Sequence, residues 1–315
     1  MSYTTISLEG FLQEFQSVSG GSYPRRFCFV LGAGASKASG IKTGEELVDL
    51  WDRELEVRNP AAHARWKQET GITPENKYGF YSQYYARRFA RDDGERYRDG
   101  YNFLERMMEK ARPSCGYVYL ALLMAGSIHN VVITTNFDHL TEDCLVQYAQ
   151  TMPMVIGHER LAPYATRQIS RPTVIKIHRD LLLSPINDPQ ELSHLHENWN
   201  AVLDNVFTMY HPLFLGYAGN DQSVMDFLCR DKNMEKFRTG DWACPYWFLY
   251  GDKEPEGRVR EFLDGTDGCL IHHGGFDQVL IRLCGALDIQ LPDEETFLSK
   301  IREQYKTLLD SADRY

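Results

Sequence analysis

The sequence predicts an α/β protein in which a parallel sheet carries helices on both faces and a helical module is inserted. Apolar runs of strand length alternate with helical patterns along most of the chain, which is typical of a parallel sheet. The first of these runs, at residues 27–31, leads directly into a glycine-rich loop. Residues 56–112 interrupt the alternation, because they contain few β-branched residues and many Arg, Tyr and Phe residues. We therefore expect this segment to be the inserted module.

The loop after residues 27–31 reads GAGASKASGIKT and precedes a helical pattern at about residues 43–55. This pattern predicts a strand, a tight turn and the start of a helix. Glycine lets the backbone approach a ligand closely, while unpaired N–H groups and the helix dipole attract phosphate. The loop matches neither the GxGxxG nor the GxxxxGK[ST] phosphate motif. A nucleotide diphosphate is the expected ligand, although a glycine turn that only saves space would explain the loop equally well.

Polar residues follow two further strand-like runs. Residues 130–135 lead into Asn136 and Asp138, and residues 173–177 lead into His178. Ligands of parallel sheets bind beyond the carboxyl ends of the strands, which is where Asn136 and Asp138 lie. By residue type alone, helix capping would be the better explanation of Asn136 and Asp138.

The second half of the chain continues the alternation and ends in a helical pattern. Strand-like runs at residues 212–217, 246–250 and 269–272 are each followed by a helical pattern. The last helix carries an apolar stripe that we expect to pack on the domain. The stripe consists of Phe297, Ile301, Tyr305, Leu308 and Leu309.

Three motifs, GAGAS with SGI, TTNFD and KIH, resemble in order the nucleotide loop and two strand ends of the sirtuin (SIR2) superfamily. The later segment GYAGNDQSVMDFL resembles the bacterial defence-associated branch, whose members are NAD hydrolases. The resemblance implies a SIR2-like, Rossmann-like NAD-binding domain formed by residues 1–55 and 113–290. Residues 56–112 would then form the inserted helical module, and residues 291–315 the C-terminal helix.

The resemblance also implies that NAD is the substrate, and it assigns three catalytic residues. Asn136 would hold the ribose and position water, Asp138 would support the nicotinamide end, and His178 would act as the general base. Arg179 replaces the family's glycine after the histidine, where it would crowd the pocket or bind a phosphate. In an active hydrolase it would instead point away from the ribose, toward a phosphate or an acidic neighbour. The residues expected to bind NAD are Gly32, Ala33, Gly34, Ser36, Ser39, Thr43, Thr135, Gly216 and Asn220.

The cysteines bear on the reaction class. Deacylating sirtuins hold a structural zinc ion between two Cys-x-x-Cys pairs, beside the cleft that binds acyl-lysine. None of the seven cysteines of this chain forms such a pair, and we predict no metal site. An enzyme that binds NAD without a peptide cleft is expected to let water attack the cleaved riboside. The sequence therefore predicts an NAD hydrolase that releases nicotinamide and ADP-ribose as the effector of a bacterial anti-phage defence system.

A second hypothesis is a non-catalytic subunit that binds NAD or ADP-ribose and regulates a defence complex with a nuclease, ATPase or Argonaute-like partner. Arg179 and the inserted module motivate this alternative. A hydrolase of a vital cofactor must be silent until needed. For either function, we expect a homo-oligomer, a defence-system partner protein, or both.

The module contains a cluster of Tyr and Arg residues at positions 81–91 that would suit single-stranded nucleic acid. Direct nucleic-acid binding is not favoured, because aromatic residues at helical spacing usually pack inward and the formal net charge is −10. No apolar run approaches the roughly 20 residues of a membrane-spanning helix, and the N-terminus lacks the pattern of a signal peptide. We therefore predict a cytoplasmic protein without membrane contact.

Overall fold

The structure, a computed structural model, describes residues 3–21, 25–89, 96–165, 169–181 and 195–312. These residues form one sheet of eight strands in the order β1-β8-β7-β6-β2-β3-β5-β4, and all seven neighbouring pairs are parallel. In chain order, the strands β1 to β8 are Thr4–Ile6, Arg26–Leu31, Val131–Thr134, Met154–Ile156, Thr173–Lys176, Tyr210–Leu215, Tyr246–Tyr250 and Cys269–His273.

Helices cover both faces of this sheet, which confirms the predicted fold class. In chain order, the α-helices α1 to α13 are Leu8–Ser19, Gly44–Arg58, Pro60–Thr70, Tyr81–Arg88, Arg96–Glu109, Cys115–Gly126, Leu140–Gln147, Glu197–Met209, Gln222–Leu228, Asp231–Thr239, Gly257–Thr266, Phe276–Ala286 and Glu294–Ala312. The 3₁₀ helices η1 to η3 are Ala33–Ser39, Lys77–Phe80 and Glu159–Tyr164.

Strand β2 shows why the central strands read as continuous apolar runs. Cys28 and Val30 pack against helices α8 to α11 on one face, and Phe27, Phe29 and Leu31 pack against α1, α6, α7 and α12 on the other. Burial of alternate side chains on opposite faces makes residues 27–31 of the strand continuously apolar.

The order of the strands defines where a ligand site is expected. From β2 the chain first fills one side of the sheet with β3, β4 and β5, and it then crosses to build β6, β7 and β8 on the other side. Strands β2 and β6 are neighbours, but the connections that follow them run in opposite directions. Such a switch point opens a crevice at the carboxyl ends of the strands.

The helical module packs around Trp51 of α2. Its indole lies 5.3 to 6.0 Å, between ring centroids, from four aromatic rings of the module, which belong to Tyr81, Tyr85, Phe89 and Phe103. Helix α2, predicted from the sequence to belong to the sheet domain, thus forms one side of the core of the module. The aromatic residues of the Tyr and Arg cluster face inward, and Arg88 pairs with Glu54 at 2.5 Å.

Helix α13 departs from the expected packing. The ring of Phe297 stacks on Tyr148 with centroids 6.1 Å apart, but Ile301, Tyr305 and Leu309 are 42 to 60% exposed. The side chain of Leu308 lies outside the described residues. None of the helices in the described part of the chain combines the length and the apolar composition needed to cross a membrane.

Candidate functional site

A cavity of about 680 Å³ lies at the carboxyl ends of the strands around the switch point. This volume is typical of small-molecule sites, which span roughly 300–1,000 Å³. The loops after β2, β3, β5 and β6 line its floor, and residues of the helical module cover it from the other side. The covering residues include Tyr78, Tyr81, Leu104, Met107 and Met108.

The glycine loop is longer and more ordered than the predicted tight turn. After β2, residues Ala33–Ser39 form the 3₁₀ helix η1, which ends at Gly40 with φ of +87°. Helix α2 begins only at Gly44, and Thr43 is its N-cap. The helix expected at about residues 43–55 is thus present as α2, but the small residues of the loop before it form a short helix of their own rather than only a tight turn.

The glycines of this loop allow two loops to pack together. The backbone N–H of Gly32 donates to the carbonyl of Leu215 at 3.1 Å, and that of Gly34 donates to the carbonyl of Gly216 at 2.9 Å. A Cβ atom on Gly32 or Gly34 would lie within 2.8 Å of the Gly216 carbonyl oxygen. The close contact between the loops after β2 and β6 therefore requires glycine, and it already uses two of the N–H groups that the sequence suggested for phosphate.

The Ser36 hydroxyl is the centre of a buried hydrogen-bond network on the cavity floor. It donates to Asp138 Oδ2 at 2.7 Å and accepts from Asn136 Nδ2 at 3.1 Å. The Tyr117 hydroxyl lies 2.7 Å away and must be the donor, because the single Ser36 proton is directed to Asp138. Ser36 therefore holds Asn136 and Asp138 in place rather than presenting a free hydroxyl.

The fully buried Lys176 joins this network to the end of β5. Its Nζ donates to the backbone carbonyl of Asp138 at 2.7 Å and pairs with Glu142 at 2.9 Å and Asp180 at 3.0 Å. Burial alone would lower the pKa of Lys176, but the two carboxylates outweigh it and raise that pKa. Burial raises the pKa of Asp138, and the Ser36 hydrogen bond and the Lys176 charge offset this only in part.

His178 reaches the same cavity from the end of β5. Its Nε2 lies 3.0 Å from Ser223 Oγ and 3.1 Å from Asp221 Oδ2, and the imidazole is 7% exposed. Both contacts come from the loop after β6 and the first turn of α9. The structure thus brings His178 and Asn136, which follow different strands, to one cavity.

Arg179 does not line this cavity. Its guanidinium forms a two-pronged pair with Glu159, with Nε 2.9 Å from Oε2 and NH2 2.8 Å from Oε1. Burial raises the pKa of Glu159, but the Arg179 pair outweighs this and lowers it. The arginine therefore faces an acidic neighbour, which agrees with the alternative in which it points away from the ribose.

Of the remaining predicted residues, all but Ser39 line the cavity. The Thr43 hydroxyl caps helix α2, and Asn220 Nδ2 donates to Glu45 Oε1 at 2.9 Å. Ser39 does not line the cavity. Its hydroxyl accepts a hydrogen bond from the backbone N–H of Ser114 at 3.0 Å. The predicted residues that line the cavity besides Asn136, Asp138 and His178 are Gly32, Ala33, Gly34, Ser36, Thr43, Thr135, Gly216 and Asn220.

Four polar residues that complete the site were not predicted. Lys176 lies in the KIH motif, and Asp221 and Ser223 lie in the GYAGNDQSVMDFL segment, so the sequence marked their positions without assigning them roles. Tyr117 lies on α6, in an apolar helical run that offered no such signal. Among the described residues, no group of three His, Cys, Asp or Glu side chains is arranged to hold a metal ion.

The fold and the cavity define a doubly wound α/β protein with a candidate ligand site at its switch point. A family model described as the SIR2-like domain matches residues 130–265, which is less than half of the chain. This match confirms the predicted resemblance to the SIR2-like superfamily. Asn136, His178 and Gly216 lie within the matched range, whereas the glycine loop precedes it. A search of curated proteins finds no match to this chain.

Solved Sir2 structures align with most of the chain at low identity. A Sir2 homologue in complex with NAD is 16% identical, has a TM-score of 0.44, and is matched over 91% of this chain and 98% of its own. A mutant Sir2 homologue in complex with ADP-ribose is 17% identical, with a TM-score of 0.43 and coverages of 89% and 99%. A Sir2 bound to an acetylated peptide is 13% identical, with a TM-score of 0.42 and the same coverages.

Proposed function

We propose that this chain is an NAD hydrolase that cleaves the bond between nicotinamide and ribose. The observation that carries the proposal is the placement of Asn136 and His178, from two strand ends, on one cavity that the glycine loop also lines. The SIR2-like motifs supply the identity of the substrate. NAD would lie along the switch point, where nucleotides bind in doubly wound sheets.

In the proposed reaction, the electron pair of the C–N bond leaves with neutral nicotinamide, and water adds to the ribose carbon. His178 takes the proton that the attacking water loses, so ADP-ribose is the second product. Asn136 commits both amide protons, to the Gly32 carbonyl at 3.1 Å and to Ser36 at 3.1 Å. Its amide oxygen is therefore the group that can accept from the ribose hydroxyl or the water.

The biological role that we propose is that of the bacterial defence-associated branch, which the GYAGNDQSVMDFL segment resembles. We place the hydrolase in the bacterial cytoplasm, as the effector of an anti-phage defence system that depletes NAD after infection. Such an effector requires control by oligomerisation or by a partner protein.

The alternative function is a regulatory subunit that binds NAD or ADP-ribose without cleaving it. The observation that favours it is the pairing of the glycine loop with the end of β6 and the loop that follows. The N–H groups of Gly32 and Gly34 already donate to the carbonyls of Leu215 and Gly216. A site that stays closed in this way would need a partner to open it.

The experiment that separates these functions measures turnover and binding in parallel. The purified protein, alone and with the products of neighbouring genes, is incubated with NAD, and free nicotinamide is quantified. We expect release, and Asn136→Ala should lower it at least about a hundredfold because the reacting groups lose their alignment. Calorimetric binding of NAD without release in any assembly, unchanged by Asn136→Ala, would establish the regulatory function instead.

A further inference from the structure

The imidazole of His178 is held at one nitrogen only. Its Nε2 faces Asp221 Oδ2 at 3.1 Å and Ser223 Oγ at 3.0 Å. Among the described residues, His178 Nδ1 has no hydrogen-bond partner, and the ring lines the cavity.

The directions of these hydrogen bonds follow from the chemistry of the two partners. A carboxylate can only accept, so the Nε2 that faces Asp221 carries the proton. The Ser223 hydroxyl donates to Asp221 Oδ1 at 2.9 Å, so its oxygen can only accept from the same Nε2–H. In neutral His178 the lone pair must therefore be on Nδ1.

The two partners are themselves fixed by the backbone. Asp221 is the N-cap of helix α9, and its Oδ1 accepts from the backbone N–H of Val224 at 3.2 Å. Ser223 is buried in the first turn of the same helix, with 2% exposure. The helix start thus orients both groups toward His178.

We propose that Asp221, braced by Ser223, is a positioning residue that fixes the tautomer of His178 and makes Nδ1 the nitrogen that accepts the proton. The catalytic consequence rests on the proposed NAD hydrolysis, whereas the tautomer itself does not. In serine-protease triads, replacing the corresponding aspartate by asparagine leaves the geometry intact but lowers kcat about 10⁴-fold through the wrong tautomer.

The decisive variant is Asp221→Asn, because asparagine is as good an N-cap as aspartate. Its Oδ1 would keep the bonds to Val224 and Ser223, and its amide group would then face His178 Nε2. An amide nitrogen only donates, so Nε2 must become the acceptor and the proton must move to Nδ1. Asp293→Asn is the matched control, because Asp293 accepts from the backbone N–H of Thr296 at 2.9 Å at the start of α13.

The readouts are the ring-nitrogen ¹⁵N shifts of histidine-labelled protein and the kinetics of nicotinamide release. The His178 signal is assigned by its loss in a His178→Asn variant. We expect the parent and Asp293→Asn to show protonated Nε2, and Asp221→Asn to show protonated Nδ1. The kcat of Asp221→Asn should fall at least about a hundredfold, with KM changed less than about threefold and an unaltered thermal midpoint.

Ser223→Ala tests separately the hydrogen bond by which Ser223 supports Asp221. Asp221 would still accept from Nε2, so the tautomer should persist while kcat falls only about tenfold. The inference is overturned if the parent protein carries the His178 proton on Nδ1, or if Asp221→Asn leaves both the tautomer and kcat unchanged. If the parent releases no nicotinamide in any assembly, the proposed function fails, and the ¹⁵N shifts still decide the tautomer.

Discussion

At the scale of single residues, Arg179 occupies a backbone position that normally suits glycine. Its φ is +66°, in the left-handed region that costs other residues roughly 1–2 kcal/mol. The two-pronged pair with the buried Glu159 holds the arginine there and anchors the end of β5 to η3. A glycine at this position would adopt the same backbone conformation without that cost.

We predict that Arg179→Gly leaves NAD cleavage within about tenfold of the parent, which corresponds to roughly 1.4 kcal/mol of barrier. The guanidinium is directed to Glu159 and away from the cavity, so its removal changes no group that faces the substrate. Steady-state rates of nicotinamide release measure this. A glycine variant that cleaves NAD while the parent does not would mean that Arg179 blocks the site.

Individual site residues were predictable to the extent that they follow a strand directly. Asn136 and His178 could be placed from the sequence, because the carboxyl ends of parallel strands meet at one edge of the sheet. The role of Ser36 could not, because its partners Tyr117 and Asp138 are 81 and 102 residues away along the chain. Pairings over such separations depend on packing that a single sequence does not display.

At the scale of structural elements, the contact between the loops after β2 and β6 holds the candidate site together. Gly216 has a φ of +63°, and a Cβ atom there would lie 2.2 Å from the backbone nitrogen of Ala35. The neighbouring atoms are backbone, so they cannot rotate away as a flexible side chain would.

We predict that Gly216→Ala lowers the free energy of unfolding by on the order of 3 kcal/mol and weakens NAD binding, because the two loops must separate. Gly240→Ala is the matched control, since Gly240 has a φ of +84° but open space around the position of a Cβ atom. It should cost only about 1 kcal/mol. Equal losses in the two variants, measured by chemical denaturation, would show that loop contact contributes nothing.

The elements that the sequence did not reveal are the shortest strands. Strands β1 and β4 have three residues each, which is too few for a periodic pattern to stand out. The six longer strands were predictable because burial on both faces makes most of their residues apolar. The 3₁₀ helix η1 was missed because its small residues are also typical of a turn.

At the scale of the whole molecule, His129 links α1 to the centre of the sheet. Its Nδ1 accepts from the backbone N–H of Phe27 at 3.1 Å, and its Nε2 lies 2.9 Å from Ser19 Oγ. Burial, together with the smaller effect of the Arg26 charge, lowers the pKa of His129 from the ordinary value of 6.5 to about 4. The folded protein therefore holds this ring neutral.

We predict that His129 contributes to acid destabilisation. Below pH 6.5 His129 binds a proton in the unfolded chain but stays neutral in the folded chain. The free energy of unfolding therefore falls as the pH drops toward 4. Between pH 7 and pH 5 the parent should lose about 2 kcal/mol more than His129→Gln, which cannot titrate in this range. Urea denaturation at the two pH values measures the difference, and equal losses would refute the role of His129.

His178 is the proposed base for NAD cleavage in this cavity. The most direct test compares nicotinamide release from NAD by the parent protein and by His178→Ala, each in the assembly that gives the highest rate. We expect release by the parent and a loss of at least about a hundredfold in the variant, the lower end of what a general base contributes. A parent that cleaves NAD while His178→Ala does so at the same rate would exclude His178 as the base.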